Sequence, residues 1–189
     1  MKVLVGDITK IQDCQVIVSA ANGCGICGAG VAGAINRSSS GFVEEEAREL
    51  CKDFPKDPGS VYITGSGYLK RRGIKNVYHA VVMKYPGGYT NIDYVTSSLR
   101  EVMNLAIKNN VKSIAIPGLG TGIGGLDKQI IAQRMAQILQ EYNGVIKITV
   151  IDMGEYFIQE FKNNAISIEE DEEPKLTEDS IEDIEKNQS

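Results

Sequence analysis

Two runs of glycine hold the residues of this chain best suited to chemistry: Gly28-Ala29-Gly30-Val31-Ala32-Gly33 and Gly118-Leu119-Gly120-Thr121-Gly122-Ile123-Gly124-Gly125. Each follows a short apolar run and leads into a helical pattern. Glycine there permits positive φ and lets backbone N–H groups approach a ligand with no Cβ in the way. Amides next to a helix N-terminus favour anionic oxygen. Two such loops in one small domain point to a ligand with more than one phosphate. Read as plain turns, they carry more alternating glycines than turns require.

Other chemistries fit less well. Gly28 to Gly33 has the GxGxxG spacing of a dinucleotide site, but the strand before it ends near Ala20, too early for that fingerprint, and Glu49 and Asp53 fall around a helical segment rather than at a strand end. Gly120 to Gly125 is half of a P-loop, yet Leu126-Asp127-Lys128 stands where Gly-Lys-Ser/Thr is needed. The single histidine, His79, lies in the apolar run Val77–Val82 with no serine motif near it, which reads as a core position rather than part of a triad. Cys24 and Cys27 have CxxC spacing without the second pair a zinc site needs; they read as a loop with two small residues or as a redox pair. Cys14 and Cys51 sit in apolar surroundings as buried free thiols. Nothing in the sequence signals a metal or cofactor.

The elements that must carry the loops alternate. Lys2–Val5, Val16–Ala20, Ser60–Ser66, Asn76–Met83, Ser113–Ile116 and Lys147–Asp152 read as strands. Gly30–Asn36, Gly41–Lys52, Ile92–Asn109, Lys128–Tyr142 and Tyr156–Asn163 read as helices. This alternation predicts an α/β fold, a three-layer α/β/α sandwich with a mixed, mostly parallel central sheet. In such sheets ligands gather at the carboxyl ends of the strands, where both glycine loops fall.

One domain is expected over 1–165, followed by an acidic, disordered tail over 166–189. The net charge of −5 over 189 residues conceals the division. Residues 166–189 hold ten acidic residues against Lys175 and Lys186, a charge of −8, which leaves +3 on 1–165. The tail has few aliphatic residues and no aromatic one, and it suits solvation or a docking partner. The mildly basic remainder suits an anionic small molecule but has no dense Lys/Arg patch, so nucleic acid is not an expected partner. No apolar run approaches the ~20 residues of a membrane span, and Met1–Asp7 turns polar too early for a signal peptide. A cytoplasmic protein with no membrane contact is expected.

Further residues complete a pattern: Gly6-Asp7-Ile8-Thr9, Val18-Ser19-Ala20-Ala21-Asn22, Gly28 through Ile35, Tyr78-His79-Ala80, and Pro117 through Gly125. In this order and at these spacings the chain resembles the macro domain family, the ADP-ribose-binding module, over about 1–160. The resemblance implies that Asp7 accepts from the adenine amino group with the Ile8 backbone beside it, and that Asn22 contacts the distal ribose. It further implies that Gly30, Val31 and Ala32 line the distal ribose and phosphate, that Gly120, Thr121, Gly122 and Ile123 cradle the pyrophosphate, and that Ala21 and Gly124 are also ligand-binding. Ile151 and Tyr156 are the candidates for the adenine wall; Tyr156 reads equally as packing the last helix.

Three positions depart from the family's pattern. Ser19 stands for a first asparagine, Ala32 for an aspartate thought to activate water in one hydrolytic subgroup, and Gly124 for an aromatic residue over the distal ribose. The resemblance therefore implies ADP-ribose binding and, in a stand-alone microbial protein, hydrolysis of an ADP-ribosyl derivative with Asn22 as the catalytic candidate. Without a carboxylate at position 32, turnover is expected to be slow. The alternative is a non-catalytic reader of ADP-ribose or of an ADP-ribosylated molecule.

Overall fold

The strands fall at Lys2–Val5 (β1), Val16–Asn22 (β2), Val61–Gly65 (β3), Asn76–Met83 (β4), Ser113–Ile116 (β5) and Lys147–Asp152 (β6). The helices are Gly30–Ser38 (α1), Phe42–Cys51 (α2), Ile92–Lys108 (α3), Lys128–Gln140 (α4) and Glu155–Asn164 (α5). These come from a computed structural model that describes residues 1–169; most of the acidic tail lies outside them.

The six strands form one sheet in the order β1-β6-β5-β2-β4-β3. All pairings are parallel except β3 with β4. The sheet is buried on both faces, so its strands read as nearly continuous apolar runs. Along β4, Tyr78, Ala80 and Val82 enter a large core beneath α3, α4 and α5. Val77 and Val81 point the other way, into smaller clusters under α1 and α2. The architecture is the α/β/α sandwich expected from the alternation.

Helix α3 shows how the sequence sets these layers. Val95, Leu99, Val102, Met103 and Ala106 recur at helical spacing and are all fully buried. Asn91 starts the helix by accepting the Tyr94 amide at 2.9 Å, and Asp127 does the same for Ile130 at the start of α4. Each fully buried large side chain contributes about 1.5–3 kcal/mol. Among the described residues, no helix is long and apolar enough to cross a membrane.

Two short 3-10 turns, Ile8–Lys10 and Gly67–Arg72, add to the expected elements. Strand β2 runs two residues further than its apolar pattern, to Asn22. After α5 the chain returns to the sheet edge. Ile168 packs on the large core, the Glu169 amide donates to the Met1 carbonyl at 2.9 Å, and Glu169 Oε1 lies 3.1 Å from the Met1 ammonium.

Candidate functional site

Because five strands are parallel, their carboxyl ends meet on one edge, and the loops that leave them build a cleft of about 270 Å³. Its floor is Ala20, Ala21, Asn22 and Val82 from β2 and β4. One wall is the first glycine loop and the start of α1, Gly28 through Ala32. The other is the second loop, with Gly118, Gly120, Gly122, Ile123 and Gly124, and Met83, Pro86 and Gly87 close the far end.

Both walls present unused amides. Ala29 precedes α1 without a capping side chain, and the first helical bond runs from the Gly33 amide to the Ala29 carbonyl at 3.0 Å. Among the described residues, the amides of Gly30, Val31 and Ala32 therefore have no acceptor. The second loop is closed by the Leu126 amide on the Gly120 carbonyl at 3.1 Å and the Gly125 amide on the Gly122 carbonyl at 3.0 Å. That closure leaves the amides of Thr121, Gly122, Ile123 and Gly124 without an acceptor among the described residues. The first set lies at the N-terminus of α1, where the helix dipole favours negative charge.

Tight closure also explains Gly124. A Cβ there would lie 2.6 Å from the Gly120 carbonyl oxygen and 2.8 Å from Thr90 Cγ2, so no side chain fits this form of the loop. Gly120 itself has φ +75°, a conformation that favours glycine.

Asn22 reaches the cleft through a break in the ladder: Ala21 pairs with Val81 but Asn22 pairs with Met83, a bulge that re-aims the strand end. Its side chain is already engaged. Nδ2 donates to the Ile26 carbonyl at 2.8 Å, and Oδ1 accepts from the Cys24 and Ile26 amides at 3.1 and 3.3 Å. Asn22 thus holds the turn that leads into the first glycine loop, with one N–H to spare. Among the described residues that line the cleft, it has the one polar side chain.

Asp7 lies outside the cleft. It caps the first 3-10 turn, with Oδ1 accepting from the Thr9 amide at 2.9 Å and the Thr9 hydroxyl at 2.7 Å. Burial alone would raise its pKa, but the bonds from Thr9 and the charges of Lys10 and Arg72 hold it below the usual carboxylate value. Ile8 buries its side chain in the core under α1, while its amide has no acceptor among the described residues. Asp7 and Ile151 line a separate groove of about 390 Å³ with Lys10, Thr149 and Cys14, along β1 and β6. Ile151 is buried, with Cδ1 below Gly6. Tyr156 is 55% exposed on the first turn of α5.

The site residues expected from the sequence therefore fall into two groups. Ala21, Asn22, Gly30, Val31, Ala32, Gly120, Gly122, Ile123 and Gly124 meet in the cleft, with Thr121 behind them in the loop. Asp7, Ile8, Ile151 and Tyr156 sit at the neighbouring ends of β1 and β6. Sequence reading did not single out Met83, Pro86 and Gly87 at the far end, the exposed Met153, or Asp152, whose carboxylate accepts the Gly118 and Gly154 amides at 3.0 and 2.8 Å. Asp152 was findable, since an acid at a strand's carboxyl end sits where such folds bind ligands.

The remaining chemical groups stand apart. His79 is fully buried, bonded through Nε2 to Thr64 Oγ1 at 2.9 Å and stacked 4.4 Å from Tyr62; burial pushes it down to about 3. All four cysteines are free thiols. Burial raises Cys27 to about 11, with Glu44 adding to the shift, which makes it a poor nucleophile. Among the described residues, no group of three His, Cys, Asp or Glu could hold a metal ion.

Comparison with known proteins gives a consistent picture. The family model described as Macro domain matches residues 18–135. An uncharacterised protein of Aquifex aeolicus (strain VF5) is 35% identical over 161 residues, which cover 84% of this chain and 93% of that protein. A macro domain-containing protein of Caldanaerobacter subterraneus subsp. tengcongensis is 35% identical over 144 residues, 75% of this chain and 80% of the relative. Among solved structures, a mutant macrodomain of Oceanobacillus iheyensis with ADPR superposes with a TM-score of 0.72 at 25% identity, covering 85% of this chain and 88% of that one. The macrodomain of Mycobacterium tuberculosis DarG, at 22% identity and TM-score 0.69, covers 79% of this chain and 97% of its own and shares the fold.

Proposed function

This chain belongs to the macro domain family, and we propose that it binds ADP-ribose, free or attached to another molecule, across the cleft and the adjoining ends of β1 and β6. The observation that carries this reading is the facing of two sets of unused amides across one cleft, from Gly30–Ala32 on one wall and Thr121–Gly124 on the other. Asp7 has one carboxylate oxygen left for the adenine amino group, and the Ile8 amide lies beside it. Met153 and Tyr156 supply exposed apolar surface for the base. The distal ribose takes the floor at Ala21 and Asn22.

Recognition alone is the better supported mode. Ala32 supplies no base, and Asn22 has committed all but one of its hydrogen-bonding positions to its own turn. Slow hydrolysis of an ADP-ribosyl side chain, O-acetyl-ADP-ribose or ADP-ribose 1″-phosphate is the second reading. The loop amides favour it, because they can stabilise charge developing on the substrate while its own phosphate serves as base. Free thiols at all four cysteines suit a reducing compartment, and we place the protein in the cytoplasm.

The test is retention of an ADP-ribosylated protein on the immobilised chain, with release of ADP-ribose measured in the same sample. Retention that free ADP-ribose reverses, with little release over hours, is the expected result. Rapid release would make the protein a hydrolase, and no retention would remove the reader.

A further inference from the structure

The two halves of the proposed site are joined by one carboxylate. We propose that Asp152, the last residue of β6, is a positioning residue that fixes the phosphate cradle in register with the adenine end; this rests on the binding reading above. Its Oδ2 accepts the Gly118 amide, at the start of the second glycine loop, at 3.0 Å. Its Oδ1 accepts the Gly154 amide at 2.8 Å, and Gly154 leads into the turn of α5 that carries Tyr156. Its backbone carbonyl accepts the Gly6 amide at 2.9 Å, next to Asp7. A single residue thus contacts the second loop, the Tyr156 turn and the Asp7 segment, three stretches far apart in sequence.

The surroundings show that the fit is close. A Cβ on Gly118 would lie 3.0 Å from Asp152 Oδ2, 3.0 Å from Thr121 Oγ1 and 3.3 Å from Phe157, so this glycine lets the loop settle directly on the carboxylate. A carboxylate is an acceptor only and can take both amides at once. Asparagine has one acceptor oxygen, and its NH₂ would face the second amide. Asp152→Asn therefore keeps the size of the side chain and releases one of the two segments.

The experiment measures AMP and ADP-ribose affinity by calorimetry for the wild type, Asp152→Asn and Gly118→Ala, together with exchange rates of the Gly118 and Gly154 amides by NMR. Gly118→Ala disturbs the same contact from its other side, so the two variants check each other if one folds poorly. AMP occupies the adenine end alone, whereas ADP-ribose spans both. The expected result is ADP-ribose affinity at least tenfold weaker in both variants, AMP affinity within about threefold of wild type in Gly118→Ala, and exchange at Gly118 or Gly154 faster in Asp152→Asn than in the wild type while amides inside β5 and β6 are unchanged. Unchanged ADP-ribose affinity overturns the proposal, as does an equal loss of AMP and ADP-ribose affinity in Gly118→Ala, which would mark a merely structural contact. If the wild type binds no ADP-ribose, the functional reading fails, and protection of the two amides that Asp152→Asn leaves intact would then sink the clamp as well.

Discussion

Asp7 and Asn22 show how far a residue's type reveals its work. Asp7 could be read as a base-edge acceptor or as a cap, and its two oxygens allow both, since Oδ1 serves Thr9. Asp7→Ala is expected to weaken ADP-ribose binding by about 1–3 kcal/mol, the range for a charge-assisted bond or a donor left unpaired. Titration calorimetry checks this, and unchanged affinity would remove Asp7 from the site. Asn22 was legible as a residue at the cleft but not as the clamp of its own turn. Its partners, the Cys24 amide and both backbone groups of Ile26, become neighbours only once the loop folds back. Asn22→Ala should therefore lower the stability of the fold as well as affinity, by about 1–3 kcal/mol for the half-buried groups left unpaired. Chemical denaturation separates the two effects; a variant as stable as wild type would show that the turn holds without its clamp.

At the scale of elements, hydrophobic periodicity located the strands and helices closely, because each is buried on the faces its pattern predicts. It missed the 3-10 turns at Ile8–Lys10 and Gly67–Arg72, which are too short for a period and depend on single bonds such as Asp7 to Thr9. The second glycine loop is a unit of the same kind. An aromatic residue at position 124 cannot enter its closed form, so Gly124→Phe should open the loop and weaken ADP-ribose binding rather than add a lid. Tighter binding by that variant would show that the loop tolerates a side chain. Strand β4 carries a pH dependence through His79. Its pKa is about 3 in the fold against 6.5 when unfolded, so the unfolded chain binds the extra proton between those values. The stability tied to neutral His79 is fully present above about pH 6.5 and is lost as pH falls toward 3. His79→Gln should reduce the slope of unfolding free energy in that window by about 1.4 kcal/mol per pH unit. An unaltered slope would mean that His79 is protonated in the fold.

Across the whole molecule, the layered α/β architecture was legible because alternating elements leave few ways to bury both faces of a sheet. The order of strands was not, since β1 lies beside β6 through pairings such as Val3 with Val150, far apart in sequence. That pairing brings Gly6, the neighbour of Asp7, onto Asp152, and it is why Asp7 and the end of β6 could be read together only through resemblance. The family follows from the comparisons; the ligand rests on the two facing sets of amides. The most direct measurement is calorimetric titration of the purified chain with ADP-ribose, with ADP, AMP and NAD in parallel. The account expects micromolar binding of ADP-ribose, tighter than any of the other three. No heat with ADP-ribose, or binding no tighter than AMP, would contradict it and leave the glycine loops as structure alone.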